Sequence, residues 1–72
     1  MSIARVTEIS STSTKSFEDA ISQGINRATK TLRNVRSAWV KEQHVRVDKG
    51  KIVGYQVNMM VTFVLDDDGD MA

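Results

Sequence analysis

The sequence predicts an α+β fold, with a single helix packed on a three-stranded antiparallel sheet in the order strand, helix, strand, strand (β-α-β-β). Three observations carry this. Residues 53–65 are apolar at every odd position from Val53 to Leu65, the period of a strand with one buried face. Residues 17–32 place Phe17, Ala20, Ile21, Gly24, Ile25, Ala28 and Leu32 at steps of three and four, the period of an amphipathic helix. Between two long β-patterned stretches lies Asp48-Lys49-Gly50-Lys51, the chemistry of a tight hairpin turn.

The first element, Ile3 to Ile9, reads as a short edge strand, with Val6 and Ile9 as β-formers. The cluster Ser10-Ser11-Thr12-Ser13-Thr14 reads as a loop that ends in a helix N-cap, where a side-chain oxygen satisfies an orphan N–H. Hydroxyls at a helix N-terminus also suit an anion. In the helix, Glu18 and Asp19 at the start and Lys30 and Arg33 at the end complement the dipole. Gly24, in the middle of the apolar stripe, implies a close approach of helix and sheet, because glycine there costs about 1 kcal/mol against alanine. Asn34 is placed to turn the chain through a left-handed conformation.

With Lys49-Gly50 as a two-residue loop, Asp48 opposes Lys51, Gln43 opposes Gln56 and Trp39 opposes Met60. Ser37, Trp39, Lys41 and Gln43 then share the outer face with Gln56, Asn58 and Met60, while Ala38 and Val40 point to the helix. A one-residue bulge would flip this assignment. One helix covers only part of so long a hairpin, so the rest of the sheet must meet solvent, another chain or a ligand.

The 72 residues are expected to form one domain, with residues 65–72 as a flexible acidic tail. A chain of this size buries only roughly 60–65% of its unfolded surface, and such scaffolds need a staple. The sequence has no cysteine and one histidine, which excludes disulfides and Cys/His zinc sites and leaves oligomerisation. A net charge of +1 argues against a nucleic-acid partner. No run of about 18 apolar residues spans a membrane, and Met1-Ser2-Ile3-Ala4-Arg5 lacks the apolar core of a signal peptide, so a cytoplasmic location is expected.

Catalysis is not expected. No Ser-His-Asp arrangement, Gly-rich phosphate loop or metal-ligand spacing is present, and His44 among Glu42, Arg46 and Asp48 reads as a satisfied surface histidine. The run Asp66-Asp67-Asp68-Gly69-Asp70 reads as a solvated terminus, with a calcium site as its functional alternative. The outer face is more informative. Trp39 offers a flat apolar platform, Met60 lies opposite it, and Gln56 can donate and accept at once. Such a face suits a planar heteroaromatic ligand, although composition alone favours a subunit interface for Trp39 and Met60.

The chain resembles the dodecin family over about residues 3 to 65. The matching pieces are Arg5-Val6-Thr7-Glu8-Ile9, Thr12-Ser13, Ser16-Phe17, Ala20-Ile21, Arg27-Ala28, Thr31-Leu32-Arg33-Asn34, Tyr55-Gln56-Val57 and Val61-Thr62-Phe63. Their order and spacing carry the resemblance rather than any one piece. It implies a hollow homododecamer of cubic-type symmetry that binds flavins such as riboflavin or FMN in pairs at subunit contacts, between symmetry-related tryptophans. The implied role is storage, buffering and photoprotection, not turnover.

On this resemblance Gln56 matches the glutamine that hydrogen-bonds the pyrimidine edge of the flavin. The family tryptophan falls at Ser37, and the tryptophan of this chain is Trp39, on the same face roughly 6.5–7 Å further along the strand. The expected flavin-contacting residues are therefore Trp39, Gln56, Ser37 and Met60, with no metal ligands and no catalytic residues. One branch of the family lacks the flavin tryptophan and is described as calcium-binding. The segment from Arg36 to Gln43 is similar to that branch in its arginine, alanine, valine and Glu-Gln positions, so a flavin-less, calcium-binding shell is the alternative.

Overall fold

The computed structural model describes residues 3–65. Strand β1 (Ala4–Ser13) leads into helix α1 (Phe17–Thr31), followed by strands β2 (Val35–Asp48) and β3 (Lys51–Val64). The sheet is antiparallel throughout, in the order β1-β3-β2, so β3 is central and both other strands are edges. The predicted acidic tail, 66–70, lies outside the described residues. Among the described residues no helix is long and apolar enough to cross a membrane.

β1 runs four residues past its predicted end at Ile9. The hydroxyl cluster is strand rather than loop, because Ser10, Ser11, Thr12 and Ser13 pair with Asn58, Val57, Gln56 and Tyr55. Small hydroxyl side chains fit beneath the helix, and Ser13 is buried there. The helix N-cap is Ser16, whose Oγ accepts from the Asp19 N–H at 2.9 Å. Ser13 adds a second lock: its Oγ donates to Asp19 Oδ2 at 2.6 Å and accepts from the Lys15 N–H at 2.9 Å. The Ser13 hydrogen bond, with help from Gln23 and the charge of Lys15, holds the Asp19 carboxyl below its ordinary range against the opposing effect of burial.

The helix ends one residue before the predicted Leu32, which is its extended C-cap and donates its N–H to the Ala28 carbonyl at 2.8 Å. Asn34 takes the left-handed conformation, φ 61°, and its carbonyl accepts the Val64 N–H at 3.0 Å. At Gly24 the helix lies so close to the sheet that a Cβ would stand 2.5 Å from Met59 Cε and 3.1 Å from Ser11 Cβ.

The helix packs on β1 and β3 more than on β2. Its core is Ala20 against Val57 and Met59, flanked by Ile9, Phe17, Ile21 and Ile25. Phe17 and Tyr55 add an edge-to-face pair with ring centroids 5.2 Å apart. The odd positions of β3 bury at Val57, Met59 and Val61, as the alternation predicts, but Val53 and Leu65 are exposed because the helix does not reach either end. For the same reason Val40, Val45, Val47 and Ile52 stay exposed on the hairpin.

Candidate functional site

The outer face of the sheet is built by three strands whose registers must agree. Lys49 and Gly50 both have positive φ, 52° and 79°, the pattern of a two-residue hairpin turn, and Asp48 pairs with Lys51 as predicted. From there the pairing shifts. Between Arg46 and Val47 the register slips by one residue at Val53, and between Val40 and Glu42 it slips back at Lys41. The segment 42–46 is therefore turned over relative to a regular ladder. Gln43 opposes the buried Val57 on the helix side, not Gln56 on the outer face; His44 opposes Gln56 instead. Beyond Lys41 the original phase returns, so Trp39 opposes Met60 and Ser37 opposes Thr62.

Four cross-strand rows result. They are Val6–Thr62–Ser37, Glu8–Met60–Trp39, Ser10–Asn58–Glu42 and Thr12–Gln56–His44. Trp39 is 52% exposed, next to a half-buried Met60. Lys41 lies along this row, its Nζ donating to Glu8 Oε1 at 3.2 Å across the line of β3. Both partners are exposed, so the pair orients more than it stabilises. His44 Nε2 is 2.8 Å from Glu42 Oε1. Gln56 Nε2 donates to Ser10 Oγ at 3.2 Å and to Asn58 Oδ1 at 3.3 Å.

The structure thus brings Trp39, Met60, Ser37 and Gln56 onto one face. Trp39 and Met60 are neighbours, and Ser37 stands two residues from Trp39 on the same strand. Gln56 is four residues from Met60 along β3, about 13 Å at strand rise, so it does not touch the indole within one chain. Sequence reasoning missed Ser10, Glu42 and His44 as members of this face. The sequence carries a hint for the last two in the odd spacing of Val40 and Val45, which the structure pairs with the helix-side Met59 and Tyr55.

The dodecin family model matches residues 3–66. The chain belongs to the dodecin family. A calcium dodecin of Mycobacterium tuberculosis is 33% identical over 63 residues, 88% of this chain and 89% of the relative. Among solved structures, a dodecin from Streptomyces davaonensis superposes with a TM-score of 0.87 at 41% identity, covering 92% of this chain and 97% of the other. The structure of a calcium-chelating calcium dodecin from Mycobacterium tuberculosis, described as having a novel calcium-binding site, gives a TM-score of 0.77 at 31% identity and covers 96% and 99%. The β-α-β-β order and three-stranded antiparallel sheet are those of the dodecin fold.

Proposed function

We propose that this dodecin is a non-enzymatic, cytoplasmic flavin-binding protein that stores and buffers riboflavin or FMN as a homododecamer. The observation that carries this reading is the exposed Trp39 indole beside Met60, on the same sheet face as Gln56. An exposed indole with an amide further along a flat face fits a tricyclic ring system that stacks at one end and hydrogen-bonds at the other. Trp39 and Gln56 of one chain leave that ring open on its outer side, so a second copy supplies the cover. Self-association is further supported by exposed Val45, Val47, Ile52 and Val53, an apolar hairpin end that water alone does not favour.

The flavin supplies light absorption and redox chemistry when bound. The residues of this chain stack it, orient its edge and exclude water from it. Ser37 stands where the family tryptophan falls, and Trp39 takes over the platform from the same face. Among the described residues no group of three or more His, Cys, Asp or Glu side chains is arranged to hold a metal, and the acidic run 66–70 lies outside them.

The test is a fluorescence titration of ligand-stripped protein with riboflavin and FMN, following flavin and Trp39 emission together. Joint, saturable quenching is the expected result. Absence of quenching rejects the reading and leaves a flavin-less dodecin, for which thermal stabilisation by calcium is the next measurement.

A further inference from the structure

Met59 and Met60 are consecutive in β3, and the pleat of the strand turns them to opposite faces. Met59 is 1% exposed and belongs to the core with Ala20 and Val57, beneath Gly24 of the helix. Met60 is half-buried on the outer face, between Glu8 of β1 and Trp39 of β2. Directly opposed residues of an antiparallel pair hold their Cβ atoms roughly 4.5–5.5 Å apart, a separation that a thioether and an indole bridge. The two methionines therefore differ in their access to solutes and in what a change at the sulfur would disturb.

We infer that Met60 is an oxidation site that governs the outer face: hydroperoxides convert its thioether to the sulfoxide, and the new polar group disturbs the Trp39 platform. The inference goes beyond the flavin reading, and its first step needs no bound ligand. A lone pair of the Met60 sulfur attacks one oxygen of hydrogen peroxide and the O–O bond breaks. The departing hydroxide takes the proton of the transferred oxygen and leaves as water. The sulfur is oxidised by two electrons and the peroxide is reduced by two, so no further reactant enters. The product is polar and chiral, and the apolar neighbour of the indole is lost. Trp39 is the one tryptophan of the chain, so its emission reports on this row alone. Met59 is the internal control, because a peroxide reaches it only when helix and sheet open. Methionine sulfoxide reductases return the thioether, which makes the site a reversible switch.

The experiment treats the full-length, ligand-free protein with hydrogen peroxide in the dark. Fragment-ion mass spectrometry localises each added oxygen among the four methionines, and Trp39 emission is followed in parallel. Met60 sulfoxide is expected to form about tenfold faster than Met59 sulfoxide or more, with the emission change in step. The A and B sulfoxide reductases together are expected to restore both mass and emission. Met60→Leu, a volume-conserving swap, is expected to remain folded and to lose the emission response. Treated protein is expected to bind riboflavin about threefold to tenfold more weakly than untreated protein. Oxidation of Met59 as fast as Met60, or an unmodified Met60, overturns the assignment of the site. An emission response that survives in Met60→Leu overturns it too, because the peroxide then acts on the indole itself. Met60 sulfoxide with unchanged emission and unchanged riboflavin affinity overturns its hold on the face. Absence of riboflavin quenching in untreated protein rejects the flavin reading alone, and the mass and emission results still decide the oxidation site.

Discussion

Trp39 and Met60 are direct cross-strand partners on the outer face, and Trp39 stays 52% exposed. A tryptophan in a packed interior would be covered by its own chain. Here about half of the residue is left uncovered by its own chain. Trp39→Ala is expected to weaken flavin by about 1–3 kcal/mol, by analogy with aromatic stacking on nucleobases, and to remove the quenching of flavin emission. Unchanged affinity in the titration would place the platform elsewhere.

Ser13 and Asp19 predict a pH dependence. The Ser13 hydrogen bond lowers the Asp19 carboxyl below the usual aspartate range. A carboxylate depressed in the folded state contributes stability above its unfolded pKa and loses it as pH falls through the folded value. Thermal melts of wild type should therefore decline as pH falls below the usual aspartate range, and Ser13→Ala should shrink that decline by bringing the folded pKa back toward the unfolded one. Carbon-detected NMR titration of Asp19 in both proteins checks the shift directly; no movement in Ser13→Ala would remove the hydroxyl as its cause.

Gly24 and Met59 are predicted to be energetically coupled. Alanine at position 24 gains helix propensity of about 1 kcal/mol but drives its Cβ into a fully buried Met59, an overpacking that typically costs about 1–3 kcal/mol. The neighbouring Ser11 Cβ, 3.1 Å away on a paired strand, leaves little room for relief. Gly24→Ala should be destabilising alone and less so on a Met59→Val background, which lacks the obstructing methyl. Chemical denaturation of the four proteins gives the coupling; strict additivity would show that helix and sheet simply move apart.

The exposed apolar end of the hairpin predicts assembly. Sedimentation velocity should show a species near twelvefold the 8.0 kDa chain mass. Val47→Lys with Ile52→Lys, a cross-strand pair at that end, should shift the protein toward smaller species. A folded 8.0 kDa monomer in wild type would reject the dodecamer.

The helix was legible because its apolar residues keep one phase from Phe17 to Ala28, and β3 because a central strand under a helix must alternate. The turn was legible from Lys49-Gly50 alone. The hydroxyl cluster misled because serine and threonine favour caps and loops in isolation, whereas pairing with β3 extends them into β1. The face assignment held at Trp39, Ser37, Gln56 and Met60 and failed at Gln43, because a bulge is a property of two strands at once. The contact of Gln56 with Ser10 joins residues 46 positions apart in sequence, and local pattern does not carry that.

The bulges at Lys41 and Val53 behave as a frameshift and its suppressor. Each alone would put every later residue of the hairpin on the wrong face, yet together they confine the error to 42–46 and leave the turn and the Trp39–Met60 partnership in frame. That short segment is accordingly a cassette. Deleting Lys41 and Val53 together would remove both bulges and leave Glu42, His44 and Arg46 opposite Asn58, Gln56 and Gly54, in one regular ladder. Deleting only one would straighten the ladder at that end of the segment and leave the other bulge in place. What sets Glu42 and His44 opposite Asn58 and Gln56 is that Lys41 and Val53 stay out of the ladder, and a hairpin lacking either residue would keep the same partners.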